Sequence, residues 1–214
     1  GYETNEFYDR EYLGTRFSYG NYIRRLGYFR PTVNIGRFTH NGATEQGVFN
    51  AELFFFSHLY KLRRYNLRQF ATIGYTGGYN RYDNEYVNIN DTRGIRGISY
   101  DLLRGTQKFR FSAESVVFTP IYLLGFRFAF FGYADLAIIN NGSNRLFYNT
   151  LYQSYGIGLR LHNENIAFNT INLRIGYSPE VPPLNDHWNF NFTNRSSNLL
   201  IDFQTREPAV VPFE

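Results

Sequence analysis

The feature that most limits what this chain can fold into is a hydrophobic pattern of period two, kept from near one end to near the other. In Phe126-Arg127-Phe128-Ala129-Phe130-Phe131-Gly132-Tyr133-Ala134-Asp135-Leu136-Ala137-Ile138, one alternating set is Phe126, Phe128, Phe130, Ala134, Leu136 and Ile138. The other set holds Arg127, Phe131, Tyr133 and Asp135. Successive side chains of a strand point to opposite faces of a sheet, so this segment predicts a strand with one apolar and one mixed face. Lys108–Glu114, Tyr155–His162 and Ile171–Tyr177 repeat the pattern, with Lys108, Arg110, Ser112 and Glu114 on the polar side of the first and Asn172, Arg174 and Gly176 on that of the last. Leu13–Tyr22, Tyr28–Phe38, Val48–Leu59 and Arg68–Tyr79 follow it more loosely, and Trp188–Thr193 and Ser197–Phe203 resume it. Turn formers separate the runs: His40-Asn41-Gly42, Asn140 to Asn144, His162 to Asn165, and Ser178-Pro179 to Asp186. The reading is nine or ten antiparallel strands in meander order, joined by hairpins, with no competing helical stripe.

Composition decides among all-β classes. Hydrophobic residues make up 43% of the 214 residues and aromatic residues 20%, so apolar side chains are plentiful. Mean hydropathy is nonetheless −0.41, so they are interleaved with polar ones. No apolar run is long enough for a membrane-spanning helix. The strands are about ten residues long, the length a tilted strand needs to cross hydrocarbon. Tyr and Phe gather at run ends (Tyr12, Tyr19, Tyr22, Tyr28, Phe29, then Tyr148, Tyr152, Tyr155), as an interfacial girdle requires. A soluble barrel would turn its apolar face inward; a membrane barrel inverts this, with lipid outside and polar groups inside. The expected fold is therefore an antiparallel transmembrane β-barrel in an outer membrane, with membrane lipid as a partner.

Other classes fit poorly. The absence of Cys excludes a disulfide framework and thiolate metal sites. Net charge is +4, but the basic residues are spread at roughly one per strand. The one tight cluster, Lys61, Arg63, Arg64 and Arg68, falls at an expected turn, so no nucleic-acid partner is expected. The four His (His40, His58, His162, His187) are scattered, and Gly74 to Gly78 lies in a strand with no helix after it. No catalytic set, metal spacing or phosphate loop follows, so the chain is expected to be no enzyme and to need no cofactor. Asp83 and Glu85 read as solvated carboxylates of a polar loop rather than as a calcium site.

One region carries more than a pattern. It contains Ile95-Arg96-Gly97-Ile98, then the strand Phe111 to Thr119 with Glu114 ahead of Pro120, then Tyr133-Ala134-Asp135-Leu136-Ala137. In order and spacing this resembles the outer-membrane assembly-factor superfamily, whose members include the β-barrel assembly insertase and the two-partner secretion translocases of Gram-negative bacteria, and whose shared barrel is the bacterial surface antigen domain. The family pattern is Val/Ile-Arg-Gly-aromatic in a long loop, a Glu on the next strand before a Pro-containing turn, and aromatic-x-Asp-x-Gly on the strand after. Here Ile98 stands in place of the aromatic and Ala137 in place of the Gly, a change expected to crowd the lumen beside the loop. The resemblance covers Ile89–Asn140, about a quarter of the chain.

The resemblance implies a loop over about 80–107 folded into the lumen. Alternation puts Glu114 and Asp135 on the polar face, and a carboxylate accepts two parallel hydrogen bonds from a guanidinium. Arg96 is therefore expected to lock onto Asp135 and Glu114, with Gly97 letting the backbone approach the wall. Arg93, Tyr133 and Arg127 are secondary candidates; the competing reading leaves Arg93 and Arg96 solvated and satisfies Asp135 from a strand Arg such as Arg127.

The resemblance also implies a sixteen-stranded barrel, of which about four strands precede the loop here and five follow it. Residues 1–203 are read as the barrel segment and 204–214 as an extension beyond the last strand. The chain is expected to be the C-terminal part of a longer polypeptide, with association of copies or a smaller barrel as alternatives. It opens on Gly1 without a secretory signal, which fits a mature or truncated piece. The leading functional expectation is insertion and assembly, or translocation, of outer-membrane proteins. Client proteins and accessory subunits would be partners, and the late strand Ser197–Phe203 one side of an opening seam. Two other readings stand beside it: a passive pore whose lumen Arg residues (Arg110, Arg127, Arg160, Arg174) select anions, and a barrel anchoring a separate soluble domain.

Overall fold

The computed structural model describes residues 2–4, 9–82, 84–90, 94–98, 103–140, 145–163, 170–182, 186–193, 211 and 213. Its strands are β1 (Tyr2–Thr4), β2 (Asp9–Ser18), β3 (Asn21–Ile23), β4 (Gly27–His40), β5 (Ala43–Ser57), β6 (Tyr60–Leu62), β7 (Tyr65–Tyr79), β8 (Val87–Asn88), β9 (Arg104–Gly105), β10 (Gln107–Leu123), β11 (Phe126–Asn140), β12 (Leu151–Asn163), β13 (Ile171–Tyr177) and β14 (Trp188–Thr193). Among the described residues the one helical element is a single 3₁₀ turn, Leu146–Tyr148.

One antiparallel meander takes up nearly all of this, in the order β1-β2-β4-β5-β7-β10-β11-β12-β13-β14. The short strands β3 and β6 continue the hairpin arms begun by β2 and β5, pairing with β4 and β7. β8 and β9 pair with each other inside the long connection between β7 and β10. Asn41-Gly42, Arg63-Arg64 and Leu124-Gly125 form tight turns, with Asn41, Arg63 and Leu124 at positive φ and a Gly following two of them. Several strands run past the limits read from sequence. β10 extends through Pro120 to Leu123, because the register slips between Phe118 and Tyr122 and spares the proline a ladder donor. β5 starts at Ala43, ahead of the apolar run, and reaches it through a register shift opposite Gly36 and Phe38, with Gln46 at φ 48°. The expected last strand is seen as Trp188–Thr193; Ser197–Phe203 lies outside the described residues.

The registers sort every strand onto two faces. One carries Leu13, Thr15 and Phe17 of β2, Val33 and Ile35 of β4, Ala51 and Leu53 of β5, Ala71 and Ile73 of β7, Phe109 and Phe111 of β10, Phe130 and Leu136 of β11, Ile157 and Leu159 of β12, Leu173 and Ile175 of β13, and Phe190 and Phe192 of β14. From β7 to β14 no charged residue of the described strands lies on it. The face is nonetheless open: Leu13 and Phe17 are each 66% exposed, Ile157 69% and Phe190 76%. The other face holds Arg16, Arg30, Glu52, Arg68, Lys108, Arg110, Glu114, Arg127, Asp135, Arg160 and Arg174. The long loop lies on this charged face, and so does the buried core. Val87, Ile89, Ile95 and Ile98 of the loop pack on Ala137 and Ile139 of β11.

Candidate functional site

The loop is held at three levels. At its root, Gly78 N–H donates to Thr106 O (2.8 Å) and Thr106 N–H to Asn140 O (2.8 Å), tying both loop ends to the sheet. Buried Lys108 reaches from β10 to donate to Asn88 O at 3.0 Å, fixing the small β8–β9 hairpin. Above that, the chain doubles back so that Ile95 N–H bonds Ile89 O (3.1 Å), which drives three isoleucines into the cluster on β11.

Arg96 forms the tip. Its Nε and Nη2 donate to Asp135 Oδ2 (2.7 Å) and Oδ1 (2.8 Å), a bidentate pair, and its backbone N–H donates to the same Oδ2 at 3.1 Å. Nη1 donates to Glu114 Oε2 at 2.6 Å and Nη2 to Ser112 Oγ at 3.1 Å. Ser112 Oγ in turn donates to Asp135 Oδ1 at 2.6 Å. The cross-strand pairs Ser112↔Asp135 and Glu114↔Tyr133 explain why these groups meet: two rungs of one ladder present both carboxylates on one face. Arg160 of β12 brings a second cation to Glu114, 2.7 Å from Oε1, as a charge contact without hydrogen-bond alignment. Burial of the Arg96 guanidinium works to lower its pKa, but the Asp135 hydrogen bond and the Asp135 and Glu114 charges outweigh it and raise the value above the ordinary arginine one. Arg96 stays a cation at every pH the fold meets.

The guanidinium also lies over Tyr133, its Cζ 3.9 Å from the ring centroid. That ring needs space on β12 and β13. Gly156 and Gly176 sit in the same cross-strand row as Tyr133; a Cβ on Gly156 would come within 2.6 Å of the ring, and one on Gly176 within 2.2 Å of its hydroxyl. Phe131 lies over Gly158 in the same manner and carries Arg160, 4.5 Å away. Gly97 follows Arg96 at φ +87°, and a Cβ there would stand 2.2 Å from the Asn189 amide of β14. Conformation and space both demand glycine.

Of the residues singled out from sequence, Arg96, Gly97, Glu114, Asp135 and Tyr133 are thus brought together. Arg127 is not: it is exposed, eight positions along β11 from Asp135, roughly 25 Å at a strand's rise. Arg93 lies outside the described residues. Ala137, the position expected to crowd the lumen beside the loop, has its methyl fully buried within the isoleucine cluster, so both departures from the resembling pattern, Ile98 and Ala137, pack in one apolar contact. Asp83 lies outside the described residues, and Glu85 is taken up by Arg81 (3.2 Å) and Gln46 (2.5 Å). Sequence reading missed Ser112 as a second-rank ligand of the lock and Gly156 as the slot for Tyr133. An inward-facing glycine directly across from an inward-facing tyrosine is the signal that was present. Compared with protein-family models, curated proteins and solved structures, the chain matches none.

Proposed function

We propose that the chain is a segment of an outer-membrane β-barrel that acts in inserting and assembling, or translocating, outer-membrane proteins. The observation that carries the membrane part is the segregation of charge: from β7 to β14 the described strands keep their ionised side chains on the face that holds the loop, and leave large apolar side chains exposed on the other. In water that exposed face is a liability far larger than a soluble monomer shows; against lipid it is required. The meander order suits a barrel, since hairpins add neighbours in sequence and closure removes the edges.

The assembly part is supported by the loop. A loop clamped by Arg96 to Asp135 and Glu114 on the charged face fills space that a diffusion pore needs open, and the strand cations Arg110 and Arg160 are committed to Glu52 and Glu114. The arrangement suits a barrel whose work is done by strands and loop rather than by an open lumen, and it agrees with the resemblance of Ile95–Ile98, Glu114 and Tyr133–Ala137 to assembly factors. No covalent chemistry is involved; a client strand would be templated by backbone pairing at a weakly paired seam. The test is reconstitution of the intact protein in liposomes with an unfolded outer-membrane client. Insertion of the client above the lipid-only rate, lost in Arg96→Ala, supports the reading. Client-independent conductance with no gain in insertion overturns it in favour of a pore.

A further inference from the structure

The two ends of the sheet differ in charge. At the end opposite the long loop, β3–β4, β6–β7 and β10–β11 close in neighbouring hairpin tips, two strand spacings or roughly 10 Å apart. The segments 19–30, 57–68 and 118–128 that carry these tips hold Arg24, Arg25, Lys61, Arg63, Arg64 and Arg127 among their cations, and no Asp or Glu. At the loop end, 41–47 and 80–106 hold Glu45, Asp83, Glu85, Asp91 and Asp101. Arg24-Arg25 and Arg63-Arg64 stand exposed at the tips themselves. Each pair is set between exposed apolar residues, Ile23 and Leu26 in one tip, Leu62 and Tyr65 in the other. The β10–β11 tip is Leu123-Leu124-Gly125, with Leu124 87% exposed.

Turn formation alone does not account for these side chains. Arg25 (φ 73°), Arg63 (φ 54°) and Leu124 (φ 51°) lie in the left-handed region, where Asn or Gly is the low-cost residue. The β4–β5 turn at the loop end makes that choice, with Asn41 (φ 51°) and Gly42 (φ 79°). At the opposite end the chain accepts the backbone cost and sets cations and bare aliphatic side chains there. Aliphatic residues among arginines suit neither water nor a dissolved polyanion, which would leave Leu26, Leu62 and Leu124 wet. They suit a bilayer surface, where apolar side chains reach the hydrocarbon boundary and guanidinium groups lie at phosphate depth on flexible apolar stems. A guanidinium also offers the two parallel donors that a phosphate accepts.

We infer that this end of the sheet is a headgroup-binding belt for acidic phospholipids, with Arg24, Arg25, Arg63 and Arg64 as the phosphate ligands and Leu26, Leu62 and Leu124 seated beneath them. The inference rests on the membrane reading and adds to it a lipid class and the end of the sheet that meets it. An anionic leaflet attracts each surface cation through a field that fades within a Debye length, so the preference is salt-sensitive. The belt also sets how deep the strands sit, because the tips stop at the headgroups.

The test is electron spin resonance of the intact protein in phosphatidylcholine bilayers doped with spin-labelled phosphatidylglycerol or spin-labelled phosphatidylcholine. At low salt the protein is expected to hold the acidic label at its surface about threefold more strongly than the neutral one. In the variant Arg24→Gln, Arg25→Asn, Arg63→Asn, Arg64→Gln the ratio should fall to about one. Asn suits the left-handed positions, so this variant keeps its fold. Arg37→Gln with Arg145→Gln, at the loop end, should leave the ratio unchanged. Immobilised lipid of both kinds in equal measure, or a preference that survives the substitutions at the tips, overturns this inference alone and leaves the arginines to an acidic protein partner. A preference lowered as much by the loop-end pair refutes a site at the tips. Absence of immobilised lipid of either kind overturns the membrane reading together with it.

Discussion

Arg96 is fixed by contacts of three kinds, and each can be removed separately. Its charge meets Asp135 and Glu114, which are 2% and 7% exposed and have Ser112 and Arg160 as their remaining partners. Arg96→Ala leaves both carboxylates buried with half their compensation gone, at a cost of about 3 kcal/mol or more. The expected outcome is rapid proteolysis of the loop around residues 94–98 while the strands stay protected. Arg96→Lys keeps the charge but loses the bidentate fork and the guanidinium contact over Tyr133, so it should rescue only part of the protection. Gly156→Ala attacks the same lock from beneath: the new Cβ would stand 2.4 Å from the Ile175 carbonyl and 2.6 Å from the Tyr133 ring. A loss of about 1–3 kcal/mol in thermal unfolding is expected, as for other overpacking changes; a neutral result would mean that the ring does not occupy this slot. Glu114 and Asp135 could be assigned to one face from sequence because alternation assigns faces without knowledge of register; Arg96, in the loop, was singled out by the resemblance alone. Ser112 and Gly156 could not be singled out either way, since their roles depend on which rung of one strand faces which rung of the next.

At the scale of elements, strands were legible and their ends were not. Period two survives wherever one face is apolar, so β10, β11, β12 and β13 could be read directly and β7 more loosely. It fades where both faces turn polar, which is why the start of β5 at Ala43 and the first residues of β2 escaped. The loop was legible only through the resemblance, because 80–106 has no period of its own; its order comes from the isoleucine cluster and Lys108. Ile98→Ala should therefore act on the loop as a unit. A loss of about 2–4 kcal/mol is expected from the emptied volume, read as faster hydrogen exchange over residues 87–98 with little change in β12 or β13. Ala137→Gly removes one methyl from the same cluster and should cost about 1 kcal/mol. A gain in stability there would favour the view that Ala137 crowds the loop.

Most of the sheet is organised by one division: charges, loop and core on one face, bare apolar side chains on the other. The register makes that division continuous from β7 to β14, which pattern in single strands could not show; on β2 and β4, Glu11 and Arg37 share the apolar face. Nor could the sequence say which face carries the loop, because alternation is symmetric under exchange of faces; the packing of the loop isoleucines on Ala137 and Ile139 distinguishes the two. If the bare face meets lipid, Ile157→Arg should cost about 2–4 kcal/mol, the penalty of a cation at mid-bilayer on a barrel wall. On a wet surface it would change stability by about half a kcal/mol or less. The most direct measurement is a set of nitroxide labels at consecutive positions from Tyr155 to Leu161 of β12 in the intact protein, reconstituted in bilayers. Collision rates with oxygen and with a water-soluble nickel chelate would be compared. The account requires high oxygen and low nickel access at 155, 157, 159 and 161, with the opposite or mutual exclusion at 156, 158 and 160. Equal nickel access at odd and even positions would place both faces in water and contradict a membrane barrel.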